Sequence, residues 1–301
     1  MADDSLAPLL TSARPREEGE VMAVSKPSPL RALFVEPARM VGGLWAHREL
    51  LWKFTHRAIE VRHRGSRLGA LWALVNPLSM LVLYFIVFGR IYGTRFGVLP
   101  GETEFDFSLA LFLGLSLFHV FTETLSASPA MITGNPNFVK KVVFPLEILP
   151  LAQVGAALFH FGAGLVLIVT GSFFGSAGLG WSLAWTPVIL LPLLLLSLGF
   201  GWALAAIGVF LRDIGQVTGF IATALLFASA VMYPPDKIPA GLDWLRFNPL
   251  LQIVDLARRT VLWHEPMPWA TLGYVYGMGL IVFALGAALF SLLRRSFAEV
   301  I

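Results

Sequence analysis

From residue 71 onward the chain alternates between apolar stretches of about 20 residues and short polar connections. A stretch of that length is what a helix needs to cross the hydrocarbon core of a bilayer. Six are read: 71–88, with Asn76 and Pro77 near its start; 107–127; 148–174; 183–211, with Pro187 and Pro192 near its beginning; 217–233; and 269–293. The fourth is longer than one crossing needs, so its ends are expected to tilt, bend or protrude. The fold expected is therefore an all-α integral membrane protein with six transmembrane helices over residues 69–296.

Two segments depart from this pattern. Residues 1–44 mix Asp3, Asp4, Arg14, Arg16, Glu17, Glu18 and Glu20 with Pro8, Pro15, Pro27, Pro29 and Pro37. They read as a disordered cytosolic tail, without the basic start and apolar run of a secretory signal. Over 45–68 the pattern turns helical and amphipathic. Leu51, Phe54, Ala58 and Val61 share one face, with Lys53, Arg57, Glu60 and Arg64 opposite and Trp45 and Trp52 as interfacial aromatics. A basic amphipathic helix of this kind lies in the headgroup plane; the alternative is an ordinary helix packed on a soluble domain.

The segment 234–265 is too charged to cross lipid and too apolar for a free loop. It opens at Tyr233-Pro234-Pro235 and mixes Leu250, Leu251, Ile253 and Val254 with Asp255, Arg258, Arg259 and Glu265. Broken helices at membrane depth survive where protein or a water-filled cavity shields the backbone. The segment is read as one or two re-entrant helices beside a pore, the alternative being an outer amphipathic helix resting on lipid.

Composition narrows the class. Hydrophobic residues make up 56% and charged residues 14%, and the mean hydropathy is +0.74. So few polar groups cannot coat a soluble globule, which excludes a soluble enzyme, a disordered protein or a nucleic-acid-binding domain. With no cysteine there is no disulfide framework, thiolate metal site or cysteine nucleophile. Of the 22 Lys and Arg residues, 16 fall before the first span, in 128–147, in 212–216 and after the last span, against 6 on the other side. The basic excess places both termini in the cytosol, as an even number of spans requires.

The chemistry missing from the chain is informative. It has no G-x-x-x-x-G-K-[ST] phosphate loop, no H-E-x-x-H and no G-x-S-x-G. His119 and Glu123, spaced i, i+4, are the notable ionisable pair inside a span. They are read as packing or interfacial anchors, with a proton relay as the alternative. With neither an ion-coupling chain nor an ATP site, energy for transport is expected from another subunit. Glu102, Glu104 and Asp106 cluster on the outer side and read as a solvated acidic loop.

Several segments together resemble one family. Arg62-His63-Arg64-Gly65-Ser66-Arg67-Leu68-Gly69-Ala70-Leu71-Trp72, followed by Asn76-Pro77-Leu78, is similar to the entry to the first span of type-2 ABC permeases that export polysaccharides. Gly134-Asn135-Pro136-Asn137-Phe138-Val139-Lys140-Lys141 through Pro150 resembles that family's first long cytosolic connection, and Arg212-Asp213-Ile214 its second. Met232-Tyr233-Pro234, Ile238-Pro239 and Asn248-Pro249-Leu250 match the segment after its fifth span. The resemblance, to the Wzm/KpsM/TarG type, covers about residues 45–296. It implies the inner-membrane subunit of an exporter of O-antigen, capsule or teichoic acid. It further implies a homodimer working with two copies of a nucleotide-binding subunit, which binds the Mg-ATP, so that no cofactor sits in this chain.

Candidate sites follow. The 128–147 connection, bounded by Pro129, Pro136 and Pro145, presents Phe138, Val139, Val142 and Phe144 beside Lys140 and Lys141. An apolar anchor with a basic rim suits a groove on the ATPase partner; Asn135, Arg212 and Asp213 join it through the family pattern. Lys140-Lys141 as a topogenic pair and Arg212-Asp213 as a salt-bridged turn are the simpler alternatives. Arg57, Arg62, Arg64 and Arg67 lie just inside the membrane, placed either to guide a lipid pyrophosphate headgroup or only to anchor the chain. Tyr84, Phe88 and Tyr92 form one helical stripe, and with Tyr233, Trp244 and Phe247 they are candidates for an aromatic sugar path at the outer mouth. In the resembling family the first and fifth spans border that path. The competing functions are an ABC-2 exporter of a drug or small lipid and, less favoured, a membrane glycosyltransferase, which would need a carboxylate cluster at one interface.

Overall fold

The computed structural model describes residues 29–63, 66, 68–140 and 144–301. Among these every regular element is helical, in the order α1 (Pro29–Ala46), α2 (Arg48–His63), α3 (Trp72–Tyr84), α4 (Glu104–Ala127), α5 (Pro136–Lys140), α6 (Ile148–Ser172), α7 (Thr186–Phe210), α8 (Ile214–Ala228), α9 (Pro249–Ala257), α10 (Trp269–Leu293) and α11 (Phe297–Val300).

The tail expected to be disordered over 1–44 is corrected in part. Residues 29–44 are helical, and residues 1–28 lie outside the described residues. α1 opens on Pro29, where the missing N–H costs no hydrogen bond. It packs along α10 and buries Met40 in a cluster with Phe283 and Phe290. Partnering by α10 decides the conformation here, which the proline-rich composition hid.

α2 forms where the amphipathic pattern predicts it, but its apolar face meets protein. Leu51, Phe54 and Ala58 are half-buried, and the helix packs on α6. Gly155 permits the approach, since a Cβ there would come within 2.9 Å of the Thr55 side chain. Trp45 and Trp52 point outward, and Val61 is 61% exposed, so it leaves the stripe assigned to it.

Five helices are long and apolar enough to cross a membrane: Trp72–Ile91, where α3 runs on as a π-helical turn, Glu104–Ala130, Ile148–Ser172, Trp181–Phe210 and Trp269–Val300. The expected fifth crossing over 217–233 is the exception. α8 has only 15 residues, about 22 Å of rise against a hydrocarbon core of about 30 Å. The backbone leaves the helix at Ser229, Ala230 takes a left-handed φ of 48°, and Pro234-Pro235 cannot resume it. After it come 3-10 turns at Pro235–Lys237 and Asp243–Phe247, then α9, then a π-helical turn at Arg258–Leu262.

α4 is the axis of the bundle. Phe107, Ala110 and Leu111 on it have no exposed surface, and α3, α6, α7, α8 and α9 all pack around it. Its start is fixed by a capping box, Thr103 accepting from the Asp106 amide while Asp106 accepts from the Thr103 amide. α7 and α10 form the closest pair. A Cβ on Gly286 would lie 2.0 Å from the carbonyl oxygen of Gly199, so only two glycines allow these backbones to touch. By contrast α3 and α8 bury few residues, and Leu78, Met80, Val82 and Leu83 of α3 and Phe220 and Phe227 of α8 face outward.

One apolar cluster gathers Met40, Phe54, Phe144, Trp202, Phe290 and Phe297. It brings α1, α2, the 128–147 connection and the C-terminal α11 to the same end of the bundle. The 93–103, 173–185 and 233–268 segments gather at the other end, where His264 lies against Gly178 and Ser182, and Trp263 against Phe96.

Candidate functional site

At the end that holds α1 and α11, the 128–147 connection is anchored by its own aromatics. Phe138 and Phe144 stack with centroids 4.5 Å apart, and Phe54 of α2 closes on both, at 5.6 and 5.2 Å. The apolar anchor expected to face a partner is thus turned inward: Phe144 is buried, and Phe138 and Val139 are half-buried. An aromatic pair of this size finds its own partner wherever a third ring is within reach. What the connection presents instead is Gly134, Pro136, Asn137 and Lys140. Lys140 donates to the main-chain oxygen of Ile301 at 2.7 Å, and Asn135 folds back onto the Met131 carbonyl at 2.9 Å. Lys141 lies outside the described residues. Arg212 and Asp213 are exposed in the α7–α8 turn, and among the described residues they make no ion pair with each other or with anything else. The turn is held by main-chain bonds from Gln216 and Val217 to the Asp213 carbonyl.

The arginines of the entry segment do not act alike. Arg62 binds Glu123 of α4 at 2.9 Å, and the same nitrogen lies 3.2 Å from Nδ1 of His160 on α6. Gln153 donates to the other Glu123 oxygen at 3.2 Å. Glu123 is therefore the meeting point of α2, α4 and α6, and its first partner is the interfacial guanidinium rather than His119 one turn earlier. Arg57 is exposed and makes no ion pair among the described residues. Arg64 and Arg67 lie outside them.

The aromatic candidates form two separate groups. Tyr84, Phe88 and Tyr92 run as a ladder with centroids 6.3 and 6.0 Å apart, and Phe88 continues to Phe107 at 6.5 Å. Tyr84 and Phe88 are packed against the α4 core, whereas Tyr92 is 71% exposed. In the other group Tyr233 donates to the Phe227 carbonyl at 2.6 Å, and Trp244 and Phe247 are exposed. Among the described residues no ring contact joins the two groups.

One cation escaped the sequence reading. Arg258 is fully enclosed. Its Nε donates to the Ala110 carbonyl of α4 at 2.9 Å, Nη1 to the Ala230 carbonyl at 2.9 Å and Nη2 to the Val231 carbonyl. The guanidinium carbon lies 4.5 Å above the Phe96 ring. A guanidinium stays protonated at neutral pH, so a full positive charge is held here by carbonyl oxygens and an aromatic face. The available signal was a charged pair set inside the apolar run from Leu256 to Leu262. The re-entrant reading of 234–265 named Arg258 among the charges of the segment but assigned it no role.

The outer carboxylates are structural. Glu102 and Asp106 are almost fully buried, which corrects the solvated loop expected of them. Glu102 accepts from the amides of Phe96 and Gly97. Asp106 accepts from Thr103 and from the amide of Ser176 at 2.8 Å, and Glu104 pairs with Arg90 at 3.1 Å. The oxygens of Glu102 and Asp106 are thus committed to backbone amides and hold the loops at this end of the bundle. No group of three or more His, Asp or Glu residues that could hold a metal occurs among the described residues.

Residues 49–262 match the family described as ABC-2 type transporter. The chain is similar to the O-antigen export system permease protein RfbA of Klebsiella pneumoniae, 26% identical over 257 residues that cover 84% of this chain and 95% of that protein. To the protein of the same name from Myxococcus xanthus it is 27% identical over 266 residues, covering 87% and 98%. To the polysialic acid transport protein KpsM of Escherichia coli it is 26% identical over 247 residues, covering 78% and 89%.

Proposed function

The chain belongs to the ABC-2 type transporter family, and we propose that it is the membrane-spanning subunit of an ATP-driven exporter of lipid-linked polysaccharide, of the O-antigen, capsule or teichoic-acid kind. The observation that carries this reading is the nearly end-to-end match to export permeases whose names specify O-antigen and polysialic acid. The sequence holds no phosphate loop, so hydrolysis of Mg-ATP falls to a separate nucleotide-binding subunit, two copies serving a homodimer of this chain in the inner membrane.

The 16-to-6 basic asymmetry supports cytosolic placement of both termini. The gathering of α1, α11 and the 128–147 connection in one cluster is consistent with it. The ATPase then docks on the exposed tip around Asn137 and Lys140 and on the Arg212–Asp213 turn. Phe138 and Phe144 transmit its motion to α2 through Phe54. Among the described members of the arginine set, Arg57 is exposed and without an ion pair, and it meets the anionic headgroup. A sugar chain offers apolar C–H faces to flat rings, and Tyr92 with Trp244 and Phe247 supplies exposed rings at the outer end. Among the described residues one chain does not join these rings, which is consistent with a path lined by two copies.

Removal of this chain from a cell that keeps its ATPase and glycosyltransferases tests the proposal. Lipid-linked polymer should accumulate inside and reach the surface again when the chain is restored. Normal surface polymer together with altered sensitivity to a drug would instead assign the chain to a small-molecule exporter.

A further inference from the structure

α8 ends short of a full crossing, and a helix that stops inside protein leaves its last carbonyls without helical partners. Three side chains from the following segment meet that broken end. Tyr233 donates to the Phe227 carbonyl, Asn248 to the Ala228 carbonyl at 3.1 Å, and Arg258 to the carbonyls of Ala230 and Val231. Arg258 alone of the three also reaches across to α4.

The reach depends on Gly114. The Ala110 carbonyl is the normal acceptor for the amide four residues on, which is that of Gly114. A Cβ at Gly114 would fall 3.0 Å from the guanidinium carbon of Arg258 and closer still to Nη2. The absent side chain is thus the opening through which a second donor arrives at a carbonyl already engaged in the helix. Phe96 lies over the guanidinium face, a position that favours a cation when water is excluded.

We propose that Arg258 is a positioning residue for transport: through the gap at Gly114 it fastens the broken end of α8 and the segment after it to α4, so that these elements move as one body at the outer end of the path. Arginine suits the task because its planar fork directs fixed donors at several acceptors at once. Lysine would bring its three donors on a single nitrogen, which cannot reproduce a fork whose three nitrogens each meet a different carbonyl. Naming the path rests on the permease reading above; the fastening does not.

Accessibility of Val231, which has no exposed surface, tests the fastening. The cysteine-free chain allows Val231→Cys to be labelled with a membrane-impermeant maleimide applied from outside to intact cells. With Arg258 present it should stay unlabelled. In Arg258→Met labelling should accelerate about tenfold or more, the shift expected in a local opening equilibrium when a charged hydrogen bond is lost. Arg258→Lys should fall between them, and export per ATP hydrolysed should follow the same order. Gly114→Ala should raise labelling in the Arg258 chain yet add little in Arg258→Met, because both changes break one contact. Equal protection of Val231→Cys with and without Arg258, or multiplicative effects of the two substitutions, would overturn the proposal. If Arg258→Met does not accumulate in the membrane, the Arg258→Lys and Gly114→Ala chains decide, and unchanged protection in both overturns it. Labelling needs no cargo, so failure of the polysaccharide reading leaves this test standing.

Discussion

Arg62 of α2 and Glu123 of α4 meet at 2.9 Å, joining the helix that precedes the first span to the axis of the bundle. The guanidinium is 54% exposed and the carboxylate 21%, so the pair lies between a surface bridge and a buried one. This divides the interfacial arginines by role. Arg62 is committed to the fold, whereas Arg57 is exposed and makes no ion pair among the described residues.

Arg62→Ala should therefore lower the thermal stability of the detergent-purified protein by about 1 kcal/mol, leaving Glu123 with only His160 and Gln153. Glu123→Gln should cost less, because the amide still accepts hydrogen bonds. Arg57→Ala should leave the melting temperature unchanged and reduce export. Equal melting temperatures for all three variants, with equal export, would remove both roles.

The inward turn of Phe138 and Phe144 separates two functions the sequence had merged. Phe144→Ala should destabilise the fold by about 3–5 kcal/mol, as large aromatic truncations in a packed cluster do, and should lower membrane levels. Asn137→Asp changes only the exposed tip, and Lys140→Glu changes the tip and gives up one exposed bond to Ile301. They should leave levels intact while weakening co-purification of the ATPase and its coupling to export. Loss of coupling in step with protein level would confine the connection to a structural role.

The span expected over 217–233 was not borne out, but the other five of the six were readable from hydropathy alone, because lipid imposes a minimum length on a crossing. Which span forms the axis was not, since α4 and α3 are alike in composition yet α4 is enclosed and α3 faces outward. Lipid and protein interior are equally apolar, so burial leaves no mark on the pattern. Pro234-Pro235 signalled the end of α8 but not how early it stops, which depends on Ala230 adopting a left-handed backbone. Phe138 was legible as an anchor but not as its own chain's anchor, because the ring that captures it, Phe54, lies 84 residues earlier in the sequence. Arg258 was invisible as a device because its acceptors are backbone carbonyls, which every residue carries.

Glycine contacts on α10 give an internally controlled prediction. Gly286→Ala drives a Cβ into the Gly199 carbonyl, and neither backbone can yield. It should cost about 1–3 kcal/mol as an overpacked site. Gly273 and Gly277, on the same helix, have open space beside them. Alanine at either should be neutral or stabilising by up to about 1 kcal/mol, the helix-propensity difference. Thermal unfolding of the three variants checks this, and equal losses at all three would mean that α7 and α10 do not meet at these residues.

The last prediction sorts the aromatic candidates by what supports each ring. Tyr84 and Phe88 are wedged against α4, with Phe88 touching Phe107. Truncation at Phe88 removes packing first, so Phe88→Ala should lower the melting temperature, and its export loss should follow protein level. Tyr92, Trp244 and Phe247 are exposed, and surface truncations of this kind usually change stability by no more than about 0.5 kcal/mol. If these rings carry sugar, Tyr92→Ala, Trp244→Ala and Phe247→Ala should each reduce polymer export while melting temperature, dimer assembly and basal ATP hydrolysis by the partner stay constant. The double variant Tyr92→Ala/Trp244→Ala should lose more than either single one, because a polymer in transit touches successive rings and each holds it weakly. Tyr and Trp also gather at membrane interfaces for anchoring alone. Anchoring predicts the opposite pattern: unchanged export per molecule of inserted protein, with any loss confined to insertion efficiency, and measuring export against membrane level in the same cells separates the two.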